Sequence, residues 1–581
     1  MKDFLFSTEE FAAAALKERS ADSEIFAGET IRQFEGEWGT LLVTEDCYTQ
    51  YQPYEDGERL FIVLGGPLYT GPESEGFLSA VPRLMGDWEN IDFSRHFDGP
   101  FALLKVNKEE KRMDCVTDLL SFIPVYRAER EGQLLLSSHV DLLADAAGER
   151  EKRDAVSELD FVLHGAVTYP YTAYENIRQV SPGTIHTIDK NTADISGRTW
   201  WLPEEILRYT SIGEAADDLR NTVETYVNRV TEKESSVAHF ISGGEDSRTI
   251  AGLIPDHLHK DSFVFLDDLN LEGKIAKKSA AIYGSNFHFY ARDPLHYLYI
   301  LPGSSELVGS GSEYKHAHTY GFHEKAGLNK YPVVLGGLFS DALLKGARIR
   351  KIRGSKKFPF LPDIKDSFYT VNKEAGVDIF REEVMKALRK RREDHYHTIK
   401  EMRPESAKEW FQMWPASMNM NIPNLHVNRR LFCSYEPFMA NGVVKISASV
   451  PQSWKMNRKL FHRAFKPYLK PAWWLWHSDG RFPYFSRYAN IMPQLFVWMY
   501  MNLAVKTGRI KGHQGPFAHW DTIFSSEAFR QTKEEYLNYG GVLPQTLKSN
   551  HPFSSIFESD QLEPQQKINL LQVLHHHKTD G

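Results

Sequence analysis

The sequence predicts two domains of different class. An α+β domain of short strands is expected over residues 1–200, followed by an α/β domain with a parallel sheet and a helical C-terminal layer over residues 201–581. Three observations predict this. The chain has 581 residues, more than one ordinary core supports. Before residue 145, β-branched and aromatic runs are separated by turn signals. After about residue 205, strand-like runs alternate with amphipathic helical ones, the pattern of a parallel α/β sheet.

In the first domain, strands are expected at Thr40–Val43, Arg59–Leu64, Phe101–Val106, Arg112–Thr117 and Leu134–Ser137, and helices at Glu9–Glu18 and Ser79–Met85. Phe161–Pro170 reads as a connecting helix. Ser181–His186 reads as a Pro-Gly turn into a strand, and Trp200–Trp201 close the domain. In the second domain the order is helix Ile212–Asn228, strand Val237–Ile241, helix Thr249–Leu253, strand Ser262–Leu266 and helix Leu271–Tyr283, stopped by Gly284. Strand Phe287–Tyr290, helix Ala317–Ala326 and strand Pro332–Leu335 follow, the last ending in Gly336-Gly337. Residues 374–412 read as charged surface helices and Gln494–Val505 as an aromatic helix. The terminal helix carries His575, His576 and His577, expected as a frayed tail rather than a metal site.

Composition narrows the classes. A net charge of −8 argues against general nucleic-acid binding. Cys47, Cys115 and Cys433 are spaced for neither a disulfide framework nor a zinc site, and a reducing cytoplasm is the expected location. The first 20 residues carry acids and no long apolar run, so no signal peptide is expected. The apolar stretch Leu495–Val505 is too short to span a bilayer. The basic run Arg348–Lys357 reads as a solvated loop, with a charged lid or a docking surface for an acidic partner as the alternative.

The chemistry concentrates where the apolar run Val237–Ile241 breaks at Ser242-Gly243-Gly244 and resumes as a helix at Asp246–Ser247. The glycines allow a sharp turn and close approach to a ligand. Free N–H groups and the dipole at a helix start favour an anion, and Ser242 and Ser247 add hydroxyls. Asp246 can hold a metal ion bridging phosphates, or simply cap the helix. The loop has neither the Gly-Lys-Ser/Thr of a Walker A motif nor the third glycine of a dinucleotide fingerprint. Gly336-Gly337 also follows a strand, so both loops are expected to face one site beyond the carboxyl ends of the sheet.

Ser242–Ser247 resembles the Ser-Gly-Gly-x-Asp-Ser signature of the PP-loop ATP pyrophosphatases, and the order of motifs resembles the asparagine synthetase B family. Leu335–Gly346 is similar to that family's Gly-Glu-Gly-Ser/Ala-Asp-Glu segment, Asn428–Phe438 to its Glu-x-Arg-x-Pro-Phe segment, and Lys455–Phe465 to the basic helix after it. Phe97–Ala102, Asp118–Tyr126, Leu135–His139 and Ser181–Gly183 resemble its glutaminase domain. The resemblance implies an N-terminal Ntn-hydrolase-like β-sandwich and a C-terminal PP-loop domain of the adenine nucleotide α-hydrolase type. It implies ATP and Mg²⁺, with phosphates on Ser242, Gly243, Gly244, Asp246, Ser247, Gly336 and Gly337, and metal on Asp246 and Asp341. Lys455, Arg458, Lys459 and Glu436 are its catalytic candidates. The bland alternatives are a turn acid for Asp341, a solvated helix face for the three cations, an ion-pair partner of Arg429 or Arg430 for Glu436, and a first-turn helix acid for Glu272.

Two departures shape the function implied. The family's nucleophilic cysteine at position 2 is Lys2 here, and its glutamine-binding strand is replaced by Leu64–Tyr69. Two acids of the Gly-Glu-Gly segment fall at Leu338 and Ala342. The expectation is an AMP-forming, amide-bond-forming ligase without glutamine hydrolysis, comparable to lasso-peptide cyclases and β-lactam synthetases. It would join a small-molecule or peptide carboxylate to an amine, and the N-terminal domain would be a remnant or a protein-docking module. An ammonia-dependent asparagine synthetase and a non-catalytic nucleotide-binding scaffold are the alternatives.

Overall fold

Strands from Phe4 to Thr199 form two six-stranded antiparallel sheets packed face to face in the computed structural model. Described are residues 1–580 except 22, 24, 49–50, 72–76, 193, 352–357, 359, 367–369, 373–376 and 510–519. Residues 352–357 of the basic run and 374–376 of the charged helical stretch therefore lie outside the description. Side-chain alternation builds the layers. Phe4 and Phe6 meet Leu60, Ile62, Leu64 and Leu104 between the sheets. Leu5 and Leu42 point outward onto helix Val140–Ala147, and Phe61 and Val63 outward onto helix Phe77–Gly86. The centre of each sheet is thus covered on both faces, which is why Gly39–Thr44 and Arg59–Leu64 are nearly continuous apolar runs, while the edge strands Ile31–Gly36 and Asp194–Thr199 are more exposed and polar. The five expected strands form, together with Phe4–Ser7, Ile31–Gly36 and Tyr126–Arg130, which the sequence reading did not anticipate.

The second sheet has five parallel strands: β1 (Ser236–Phe240), β2 (His259–Leu266), β3 (Asn286–Ala291), β4 (Val334–Leu335) and β5 (Ser434–Tyr435), in the order β3-β2-β1-β4-β5. The strand order reverses between β1 and β4, and such switch points open a crevice at the carboxyl ends. Helix Ile212–Thr231 starts at Ser211, whose hydroxyl accepts from the Glu214 N–H, while Glu214 accepts from the Thr210 N–H. Its buried stripe of Ala215, Leu219, Val223, Tyr226 and Val227 joins one core shared by the outer face of the sandwich and the second domain.

Three expectations are corrected. Residues 317–327 form turns rather than a helix, because Gly321 and Gly327 adopt left-handed φ of 79° and 63°. The His575–His577 run is no frayed tail: helix Pro564–Asp580 packs against helix Ala155–His164, and His575 and His576 are buried. Cys47 and Cys433 form a disulfide with Cα atoms 5.7 Å apart. Their separation of 386 residues hid the pairing, since only the packing of the two domains brings them to bonding distance.

That disulfide is one of three grips of the first domain on the segment leading into β5. Asp3 accepts from Arg429 (3.0 Å) and Arg430 (2.7 and 2.8 Å), all three groups buried. The Tyr48 hydroxyl accepts from Ser434 N–H (3.0 Å) and donates to Ser434 C=O (2.8 Å). Among the described residues, no helix is long and apolar enough to cross a membrane.

Candidate active site

β1 delivers the chain to the Ser242–Gly244 turn, and helix Glu245–Leu253 departs from it with Gly244 at its N-cap and no side chain capping it. The turn is closed by its own serines. The Ser247 hydroxyl accepts from Ser242 N–H (3.0 Å) and lies 2.9 Å from the Ser242 hydroxyl, which accepts from Gly244 N–H (3.0 Å). Glu272 does more than favour its own helix dipole: its buried carboxylate accepts from Gly243 N–H (2.5 Å) and clamps the loop from the next helix.

Asp246 and Asp341 converge on one cation, the buried ammonium of Lys345. It is ion-paired with Asp246 and lies 3.3 Å from both Asp341 and Glu245. Burial alone would discharge Lys345, but the three carboxylates raise its pKa above the ordinary lysine value. Burial pushes Asp246 up to about 6 against the pull of Lys345, helped by the like charges of Asp341 and Glu245. Lys345 holds the half-exposed Asp341 below the usual carboxylate range. Glu245 pairs with Arg458 (2.6 Å) and lies 3.6 Å from Arg481. Although burial opposes it, Arg458 and Lys345 keep that carboxyl ionised.

The other side of the crevice is the turn after β4. A Cβ on Gly336 would collide with the Glu436 carboxylate, and one on Gly337 would lie 3.4 Å from Asp246 Cβ. Gly336 is therefore required by the close approach of Glu436, whereas position 337 has room for a Cβ in ordinary contact with Asp246. Glu436 is buried beside this turn and accepts from Leu338 N–H (2.9 Å) and from the Ser434 hydroxyl (3.4 Å); burial outweighs both and raises its carboxyl from 4.5 to about 8. It does not pair with Arg429 or Arg430, which are held by Asp3. Three of the non-glycine residues with left-handed φ cluster here: Phe339 (70°), Asn457 (56°) and Arg458 (61°). Such backbone costs of order 1–3 kcal/mol per residue and persists where the surroundings impose it. Here Asn457 is fastened by two hydrogen bonds to the Asp363 backbone, of 2.8 and 3.0 Å.

The remaining candidates separate. Lys455 is fully buried and paired with Glu409 (2.7 Å) and Ser447 (3.0 Å), away from the aspartates. Lys459 is exposed and lines a cavity of about 350 Å³ with His462, Arg463, Lys466 and Arg487. That cavity shares Asn457, His462 and Arg487 with a smaller one reaching Glu245, Arg458 and Arg481. Sequence reasoning missed Lys345, Glu245 and Arg481. Lys345 was hidden at the head of a basic run. Glu245 fills the variable position of the loop motif, and Arg481 follows the matched segments. Arg248 anchors the strap carrying Arg481 by donating to the carbonyls of Leu475 (2.7 Å) and Trp476 (2.8 Å).

Comparison with known proteins agrees with this architecture. The glutamine amidotransferase domain model matches residues 80–201, and the asparagine synthase model matches residues 218–542. The class is thus an amidotransferase-type domain fused to a synthetase-type domain with a parallel sheet. The second match covers more than half of the chain, and the protein belongs to the asparagine synthase family. Over 297 residues it is 23% identical to asparagine synthetase [glutamine-hydrolyzing] 2 of Bacillus subtilis (strain 168), spanning 47% of this chain and 38% of that relative's length. Among solved structures, the allosteric regulatory enzyme of purine biosynthesis matches with 9% identity over 50% of this chain and 81% of that one, TM-score 0.24. Glutamine phosphoribosylpyrophosphate amidotransferase from B. subtilis with ADP and GMP matches with 10% identity over 49% and 65%, TM-score 0.23.

Proposed function

We propose that the protein is an ATP-dependent ligase that activates a carboxylate as an acyl-adenylate for attack by an amine, releasing pyrophosphate and then AMP. The observation that carries this reading is the convergence of the Ser242–Ser247 loop, Asp246 and Asp341 around Lys345 at the β1/β4 switch point, with Arg458 and Arg481 alongside. Two aspartates that already share one cation have the charge and the oxygen donors that suit Mg²⁺. Mg²⁺ held there supplies charge neutralisation to the leaving pyrophosphate. Ser242, Ser247 and the N-terminus of helix Glu245–Leu253 receive the phosphates in a PP-loop manner. Lys345, Arg458 and Arg481 stabilise negative charge that develops during transfer. Glu436, with a carboxyl poised near 8, takes the proton from the attacking amine.

Two observations support the absence of an internal glutamine-hydrolysing step. Of the three cysteines, Cys47 and Cys433 are bonded to each other and Cys115 is sealed between the sheets, where burial raises its thiol pKa. The Leu64–Tyr69 segment is capped by Tyr48, whose ring occupies the space a Cβ on Gly66 would need. At the turn, Leu338 and Ala342 pack into the core and offer no carboxylate for aspartate and ammonia. A larger amine-bearing substrate follows, small molecule or peptide, as in lasso-peptide cyclases and β-lactam synthetases. The N-terminal domain then serves as a scaffold or a docking module.

The test is AMP and pyrophosphate release from ATP–Mg²⁺ with aspartate and ammonia, with aspartate and glutamine, and without acceptor, using Asp246→Asn as control. ATP–Mg²⁺ binding lost in the variant, without turnover of aspartate, is expected. Asparagine formed from ammonia would replace the reading with an ammonia-dependent asparagine synthetase. Glutamine-driven turnover would overturn the missing glutaminase, and neither binding nor turnover would leave a scaffold.

A further inference from the structure

Outside the candidate active site, three elements bring ligand-type side chains, two buried and one part-buried, to one point. Asp141 lies in helix Val140–Ala147 of the first domain, Glu306 in helix Leu301–Val308 of the second, and His576 in the C-terminal helix Pro564–Asp580. One ligand atom from each lies within 4.8 Å of the other two. His575 joins from the same helix, its Nε2 3.5 Å from Glu306 Oε1.

The polar accounting at this point does not close. His576 is 2% exposed, and neither of its ring nitrogens has a hydrogen-bond partner. The same holds for His575 Nε2 and Glu306 Oε1. Burying such groups unsatisfied costs about 1–3 kcal/mol each. Arg150 offers charge to Asp141 (4.0 Å) and Glu306 (3.9 Å), but a guanidinium has only donors and cannot satisfy the N–H of a neutral imidazole. Asp141 is held in place, one oxygen accepting from the Tyr174 hydroxyl (2.7 Å) and the other from Ser310 N–H (2.9 Å). Ligand carboxylates are commonly braced this way by outer hydrogen bonds.

We propose that Asp141, Glu306 and His576, with His575 as a further donor, form a structural site for a divalent first-row metal ion, zinc first, that ties the C-terminal helix to both domains. One or two imidazoles with two carboxylates suit Zn²⁺, whereas Mg²⁺ prefers oxygen ligands and retained water. Two carboxylates, which also face the Arg150 guanidinium, oppose the charge of a divalent ion. A triangle with sides of 4.8 Å would put a central ion about 2.8 Å from each corner. Closing to about 2.0–2.2 Å takes a contraction of well under 1 Å at each ligand. The site has no bearing on the phosphate loop, so its loss and the loss of ligase chemistry are separable.

The experiment uses the full chain carrying no added histidine tag, stripped with chelator and dialysed against Zn²⁺, with bound metal counted by mass spectrometry. About one tightly held Zn²⁺ per chain is expected, uncontested by excess Mg²⁺, and Co²⁺ in its place gives visible ligand-field bands. Loss of a group that merely braces a ligand lowers affinity ~10–100-fold, so H576Q and E306Q, which remove ligands, should each lower it by more than tenfold, while D246N retains the metal. Glu306 is partly exposed, so E306Q keeps the test valid if H576Q fails to fold. Chelator should lower the unfolding midpoint of the wild type and leave that of E306Q unmoved. Failure of the wild type to retain zinc, or equal retention by the wild type and E306Q, overturns the site.

Discussion

Replacing Glu436 by glutamine should move stability and turnover in opposite directions. The carboxyl titrates near 8 in the fold and near 4.5 when exposed, because burial penalises the anion. A group whose folded pKa is raised binds more protons in the native state between those two values. The native state therefore loses stability as pH rises from about 4.5 to about 8, and loses no more above that. At ~1.4 kcal/mol per pH unit the full gap amounts to ~5 kcal/mol, an upper figure because the site can relax or admit water. Glutamine keeps the shape and the acceptor for Leu338 N–H but cannot ionise. The assay is urea and thermal unfolding of both proteins from pH 5 to 9. The curves should coincide near pH 5 and separate by several kcal/mol at pH 8 and above, E436Q being the more stable. The buried Asp98 and Asp118, raised by burial to about 6 and about 7, contribute equally to both curves and cancel. Ligation by the wild type should rise with pH towards a plateau above 8, and E436Q should lose ~10²–10⁴-fold in the amine step while still forming the adenylate. Parallel stability curves would refute the assignment of a buried, ionisable Glu436.

Three further outcomes follow. Lys345→Met leaves Glu245 and Asp246 without their shared buried cation and should cost ~3–5 kcal/mol in urea unfolding, with millimolar Mg²⁺ restoring more stability to the variant than it adds to the wild type. Ser247→Ala opens the serine clasp of the loop and should lower pyrophosphate release by ~10²-fold or more, read as AMP formed per minute, with unchanged circular dichroism. Tyr48→Phe removes both hydrogen bonds to Ser434 and should destabilise by ~1–3 kcal/mol and reduce ligation, measured by unfolding and by AMP release.

Much of the fold was legible because its determinants are local. Arg59–Leu64 and Arg112–Thr117 form as expected, and Ser-Gly-Gly between an apolar run and a helix forms the expected strand–turn–helix. Gly336-Gly337 was readable as a strand-end turn, though not the reason for it, which is the Glu436 carboxylate arriving from β5. What stayed hidden depends on partners distant in sequence. Lys455 sits in the expected basic helix, yet Glu409 claims its ammonium, while Lys345, passed over just ahead of a basic run, takes the centre of the site. The His575–His577 run looks like a tail until helices from both domains close around it.

The three grips on residues 429–434 give the first domain a mechanical part in the second. β5 is a two-residue edge strand, too short to hold itself, and Glu436 stands immediately beyond it. Asp3, Cys47 and Tyr48 moor that strand from outside, so the place of Glu436 is set by contacts spanning 386 residues or more of sequence. Trimming the chain to residues 201–581 would set the acid adrift, and a molecule wedged between Tyr48 and Ser434 would disturb Glu436 without touching it.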